Sequence, residues 1–326
     1  MAKIIFHLGT YKTGSTSIQN HLFDNREKLL ERGILYPASV ANANRSLGHR
    51  HSELAYRFNA NEDVATPKRL IDEVREAGAE TVILSSEAWS APRMALHLMR
   101  IVNDFRALGY ADAHAVLFLR NAVDYRVSYY RELTTNDTNK TGYERFISRR
   151  RGMFDYQFLM RSYRALFGDN VHGFEYGKHD SVKVFRDVVG AEYFSDIPLP
   201  AKHFNTKTID AVDVEIFRVL NLYERDHTYA GEVKARLSRL LGKKAEWTER
   251  VDGDHETYPA FYAEDLAKML NWSEDRVEAL LQDRPHRGRR VADLEPAIMG
   301  ILSDMDAGVA SGATLARRVF RRLMPG

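Results

Sequence analysis

Apolar residues fall into short unbroken runs separated by longer stretches with helical spacing. Residues 3–8, KIIFHL, read as a buried strand. Between 14 and about 32, Ile18, Leu22 and Leu29 recur on one helical face; Gly33 supplies a stop and Pro37 follows. Residues 38–66 are polar, carry Asn42, Asn44, His49 and His51, and read as a loop with a short helix. Helical spacing returns over 67–78, and 81–84 is a second buried strand running into Ser85-Ser86-Glu87. A helix is expected from Pro92 to about 108, a third strand over 114–119 ending at Arg120, and a helix over 124–133. An amphipathic helix over 156–167, a strand over 171–176 and a helix over 180–189 follow.

Strands alternating with helices predict an α/β fold, a parallel sheet flanked by helices on both faces. Ligands of such sheets bind at the carboxyl ends of the strands. Here the first three strands end at a glycine-bearing loop, at Glu87 and at Arg120. Beyond about 208 the strand pattern fades, and 208–225, 230–242, 260–270, 274–282 and 291–322 read helical. The expected organisation is an α/β core over 1–207 and a helical C-terminal region over 208–326 packed on it, as one continuous domain.

Composition narrows the function. The 326 residues carry 47 basic and 45 acidic side chains, a formal charge of +2. That balance gives no global electrostatic case for nucleic acid or a membrane surface, so any anion site must be local. There is no cysteine, which excludes disulfides, thiolate catalysis and cysteine-held metals. No apolar run approaches the roughly 18 residues of a membrane span, and the N-terminus lacks a signal-like apolar segment. A cytoplasmic protein without an integral membrane segment is expected. The basic runs at 149–151, 287–290 and 317–322 read as solvated surface. Asp252-Gly253-Asp254-His255-Glu256 lacks calcium-loop spacing and reads as a turn.

The first loop, Gly9-Thr10-Tyr11-Lys12-Thr13-Gly14-Ser15-Thr16, has the glycine spacing of a P-loop, but its lysine precedes the second glycine. A strand–loop–helix turn offers backbone amides and the positive end of a helix dipole to an anion. Ser15, Thr16 and Ser17 add hydroxyls, and Lys12 adds a cation. A nucleoside triphosphatase would need an aspartate at a second strand end for magnesium. The second strand is followed by Glu87 and the third by Arg120, and an arginine there suits a second phosphate. These residues alone leave open a P-loop-type ATP- or GTP-dependent kinase and a non-catalytic nucleotide-binding protein.

Lys12-Thr13-Gly14-Ser15-Thr16 resembles the first motif, K-[TS]-G-[ST]-[ST], of sulfotransferases that use 3′-phosphoadenosine 5′-phosphosulfate (PAPS). Arg120-Asn121-Ala122-Val123-Asp124-Tyr125-Arg126-Val127-Ser128-Tyr129-Tyr130 is similar to their second motif, with Ala122 where proline is usual and Tyr125 where arginine is common. The stretch from Phe154 to Val171 also resembles the family, and the likeness covers roughly 3–190. The resemblance implies a P-loop-like sulfotransferase fold and in-line sulfuryl transfer from PAPS, leaving 3′,5′-adenosine bisphosphate, with no metal required. It places Tyr11, Lys12, Thr13, Gly14, Ser15, Thr16 and Ser17 around the donor's 5′ end, and Arg120 with Ser128 on its 3′-phosphate. Lys12 would meet charge on the leaving phosphate oxygen. Glu87 is the first candidate for the general base, with His51 and then His49 as alternatives, while His7 reads as a satisfied core histidine. Phe204, in a polar stretch before a helix, is a candidate to stack on the adenine. The acceptor is expected to be a small molecule or glycan, and the bacterial branch of the family points to carbohydrate.

Overall fold

The computed structural model describes residues 2–57, 65–136, 139–201, 209, 211–241, 260–282 and 294–307. Phe204, the 252–256 turn and the basic runs at 287–290 and 317–322 lie outside the described residues. Contacts divide the chain into two compact units. The first comprises Met1–Tyr125, Arg151–His203 and Tyr258–Gln282; the second comprises Arg126–Arg150, Phe204–Thr257 and Asp283–Gly326. Each unit therefore draws on both sides of residue 207.

The first unit holds one parallel sheet of β1 (Lys3–His7), β2 (Ile34–Leu35), β3 (Thr81–Ser85), β4 (Asp112–Leu119) and β5 (Val171–Glu175), in the order β2-β3-β1-β4-β5. Helices on both faces explain why the central strands read as continuous apolar runs. Alternation along β1 sends its side chains to opposite faces. Ile5 joins Ile83, Val116 and Phe118 under the helices Ser15–Asp24 and Ser181–Val189, through Ile18, Leu22, Val182 and Phe185. Phe6 points the other way, against Trp89 and against Phe167 of the helix Tyr156–Phe167. That helix in turn packs on Ala95–Ala107 and Ala260–Leu270.

Most elements fall where the apolar pattern puts them. The 14–32 segment is two helices, Ser15–Asp24 and Arg26–Leu30, because the chain breaks at Asn25. Besides short 3-10 turns, one strand and one α-helix among the described residues were not anticipated. β2 has only two residues, too few to show a period, and follows Gly33 at φ 77°. The helix Tyr143–Arg149 lies in the second unit and buries Phe146 and Ile147.

The second unit is helical among its described residues. Ala211–Leu222, Ala230–Leu241 and Glu295–Asp306 share a core of Ile216, Val219, Leu220, Val233, Leu237, Ile298 and Ile301. Arg218, nearly buried, bonds both Glu215 and Glu295 and so links the first of these helices to the last. Asn221 donates to the carbonyls of Thr134 and Asn139 at 2.7 and 3.0 Å, tying in the end of the helix Ala122–Thr135. No helix among the described residues is long and apolar enough to cross a membrane.

The helix that begins at Ser15 is held to the sheet by Leu22, which is fully buried. Leu22→Ala is expected to lower stability by about 2–5 kcal/mol. Leu30→Ala, at an exposed position, should stay within about 0.5 kcal/mol of the parent. Urea unfolding of both variants checks the contrast.

Candidate active site

β1 ends level with β3, His7 pairing with Ser85, while β4 runs on from Val116, the other partner of His7, to Leu119. The connection after β1 leads to β2 at one edge and that after β4 leads to β5 at the other. The crevice of the topological switch point therefore opens between the carboxyl ends of β1 and β4. The glycine-bearing loop and Arg120 both stand there.

The loop is pinned along its length. Leu8 N–H donates to the Val116 carbonyl at 2.9 Å, and the Thr10 hydroxyl donates to the Phe118 carbonyl at 3.0 Å. The Thr13 hydroxyl returns to the Thr10 carbonyl at 2.6 Å. Arg120 Nη1 donates to the Lys12 carbonyl at 3.2 Å. These bonds hold Lys12 at φ 68°, a left-handed conformation that costs a residue with a Cβ about 1–2 kcal/mol. Gly14 takes φ 79° without that penalty.

The helix Ser15–Asp24 starts at Gly14, which has no side chain to cap it. Ser17 N–H turns back to the Gly14 carbonyl at 3.0 Å, which leaves the amides of Ser15 and Thr16, at the positive end of the dipole, to face an outside acceptor. Ser15 Oγ is buried, the residue 3% exposed, and has no hydrogen-bond partner among the described residues. Thr16 and Ser17 are exposed, while Tyr11 and Lys12 are half-buried. At Gly9 a Cβ would stand 2.8 Å from Ser15 Oγ and 3.3 Å from His7 Nε2, so only bare backbone fits between them. An unpaired buried hydroxyl and uncapped helix amides beside Lys12 form a donor set that suits a phosphate or sulfate oxygen.

His7 bonds Ser85 Oγ through Nδ1 at 2.8 Å, but its buried Nε2 has no partner among the described residues, so it is only half satisfied there. Burial pushes its imidazole down to about 3, leaving it neutral.

Glu87, 7% exposed, follows β3 and accepts a hydrogen bond at Oε2 from Gln19 Nε2 at 3.2 Å. Gln19 sits one turn after Ser15 on the same helix, its own backbone about 6 Å further along that axis. Burial and the nearby Glu87 carboxylate push the Tyr36 phenol well above its ordinary range. Gln19 was not singled out in the sequence. The available signal was an amide between Ile18 and Leu22, on the face that the helix must bury.

The histidines are otherwise engaged. Ser85 N–H donates to His51 Nδ1 at 2.9 Å, so the proton sits on Nε2, which lies 2.9 Å from the Pro37 carbonyl. His51 N–H also donates to the Ser85 carbonyl at 2.8 Å. His51 is thus a strut between β3 and the 38–51 segment, and neither ring nitrogen is left to receive an acceptor's proton. This geometry corrects its reading as the alternative base. His49 bonds the Asn42 carbonyl through Nδ1 at 2.8 Å and stacks on Phe23.

At the end of β4, Arg120 is half-buried, with its guanidinium 5.7 Å from the Tyr176 ring centroid. Tyr156 Oη donates to its carbonyl at 2.6 Å. Asn121 Oδ1 accepts from Val123 and Asp124 N–H, capping the next helix where the resembling family has a proline beside it. Tyr125 is fully buried against Phe154 and Tyr156, which accounts for an aromatic at that position. Ser128 is half-buried on the part of the helix Ala122–Thr135 that belongs to the second unit.

No protein-family model matches the chain, and no curated protein matches it. A solved structure described as a sulfotransferase from Alicyclobacillus acidocaldarius is similar at 18% identity, over 71% of this chain and 99% of that chain, with a TM-score of 0.40.

His7 and His51 make stability depend on pH. Burial lowers them from 6.5 to about 3 and about 4. Between pH 6.5 and 4 the unfolded chain therefore binds protons that the folded chain does not. Their contribution is complete above pH 6.5 and falls as the pH drops through that window, by up to about 1.4 kcal/mol per pH unit for each histidine. His51→Gln should make the fall shallower by about one proton. Urea unfolding at pH 7 and pH 5 measures it, and an unchanged slope would contradict the assignment.

Proposed function

We propose that the chain is a sulfotransferase that moves the sulfuryl group of PAPS to a hydroxyl or amine, with carbohydrate as the first acceptor class to test. The observation that carries this reading is the bond from Arg120 to the Lys12 carbonyl across the switch point. It ties the Arg120 guanidinium to the backbone of the loop that carries Lys12, the Ser15 hydroxyl and an uncapped helix start, which supports a two-anion reading. A donor with phosphate at both its 5′ and 3′ positions needs two such anion subsites.

In this reading the loop amides and Ser15 hold the 5′-phosphate, and Arg120 takes the 3′-phosphate. Lys12 stabilises the charge that grows on the leaving oxygen. Glu87 takes the proton of the acceptor hydroxyl or amine. The acceptor's oxygen or nitrogen forms a bond to sulfur as the sulfur–oxygen bond to the 5′-phosphate breaks, and the electron pair of that bond leaves on the phosphate oxygen. The products are a sulfated acceptor and 3′,5′-adenosine bisphosphate. Positioning and electrostatics then carry the rate.

Thermal unfolding in the presence of ligand separates this reading from a kinase. A ligand at about 100 times its Kd should stabilise the fold by about 2.7 kcal/mol. Stabilisation by 3′,5′-adenosine bisphosphate is expected. Stabilisation by ATP with magnesium and none by the bisphosphate would contradict it. The roles of the cations are also separable. Lys12→Ala should lower turnover by about 10²–10³ with a smaller effect on bisphosphate binding. Arg120→Ala should weaken bisphosphate binding about tenfold to hundredfold, the equivalent of about 1.5–3 kcal/mol. Calorimetry and turnover of labelled PAPS read these two out, and equal small effects would remove the assigned roles.

A further inference from the structure

We propose that Gln19 is the positioning residue for Glu87. Its side-chain amide holds the carboxylate and the Ser85 hydroxyl together and so fixes the base relative to the donor loop. The proposal rests on the sulfotransferase reading above.

Gln19 is fully buried, and its Nε2 donates to Glu87 Oε2 at 3.2 Å and to Ser85 Oγ at 3.1 Å. A primary amide carries two N–H donors, and these two acceptors take both. Ser85 Oγ also meets His7 Nδ1 at 2.8 Å. One line of polar contacts therefore runs from the end of β1 through Ser85 and Gln19 to the carboxylate that follows β3. The amide has little room to turn. Gly48, at φ 75°, lies against it so closely that a Cβ there would collide with Gln19 Oε1 and stand 3.3 Å from Thr16 Cα. Gln19 also rides on the helix whose first residue is Ser15, so the donor cradle and the amide that holds the base share one helix.

The chemical consequence follows from reach. A general base acts only within hydrogen-bond distance of the proton it removes. Glu87 sits on a short 3-10 turn, Glu87–Ser90, whose N-cap bond from Ala88 N–H to Ser86 fixes the backbone but not the carboxylate. Among the described contacts, the Gln19 N–H is the side-chain bond that fixes the carboxylate itself. Loss of a contact that sets catalytic geometry can cost about a hundredfold in rate. If Gln19 served only to fill space, an apolar side chain of similar length would replace it without effect on chemistry.

Gln19→Met keeps the length and removes both donors. Turnover of labelled PAPS against a panel of sugar, phenol and amine acceptors is expected to fall about tenfold to hundredfold in kcat. The Kd of 3′,5′-adenosine bisphosphate, by calorimetry, should stay within about threefold, because the donor cradle is untouched. Glu87→Gln should lower kcat at least as far, and Gln19→Met added to Glu87→Gln should lower it less than about twofold further, the non-additivity of residues acting through one group. Ser85→Ala guards against a misfolded Gln19→Met protein: it removes the neighbour that orients the amide, and kcat should fall severalfold at unchanged bisphosphate affinity. Full kcat in Gln19→Met, losses that multiply in the double variant, or bisphosphate affinity falling in step with kcat would each overturn this proposal while leaving the sulfotransferase reading intact. A parent protein that neither binds the bisphosphate nor turns over PAPS would overturn both.

Discussion

A loop that presents its amides to an anion must turn sharply, and Lys12 does not adopt φ 68° unaided. The conformation is held from outside, by carbonyls of β4 that receive Leu8 and Thr10 and by Arg120 reaching back to the Lys12 carbonyl. Those anchors exist because β1 and β4 are parallel neighbours in fixed register. The register is in turn fixed by Ile5, Val116 and Phe118 facing one set of helices and Phe6 facing the other. A one-residue slip would reverse every one of those side chains. The strained lysine is thus the last link of a chain that begins in the core, and strain of this kind concentrates where a site must be pre-organised.

Much of this was legible in the sequence, for physical reasons that differ by element. The central strands are buried on both faces and so read as unbroken apolar runs. The loop was legible because an anion cradle needs glycine, hydroxyls and a cation at tight local spacing. Arg120 was legible because a strand end in such a sheet faces the ligand side. What was hidden depends on distant pairing. Gln19 meets Glu87, 68 residues away, and no local pattern announces that meeting. His51 sits in a polar segment that suggested an accessible side chain, yet backbone groups of Ser85 and Pro37 capture both its nitrogens. β2 was hidden by its length, and the partition of 126–150 and 258–282 between units by contacts that sequence order does not show.

The arrangement also ties binding to chemistry. In the proposed function the helix that begins at Ser15 lends its amino end to the donor; its buried amide, a turn later, bonds the base candidate. A shift of that helix would disturb both at once. His51 fixes the end of β3 at Ser85, two residues before Glu87. Gln19, Ser85 and His7 beside Glu87 are therefore parts of one connected frame, and such networks act with more than pairwise effect.

The most direct test of the central claim is a crystal structure with 3′,5′-adenosine bisphosphate. The account predicts the 5′-phosphate on the first-turn amides and Ser15 Oγ, at about 2.7–3.2 Å, with Lys12 beside it and Arg120 on the 3′-phosphate. A bisphosphate bound elsewhere, or a loop that takes up only a magnesium-bound triphosphate, would contradict it.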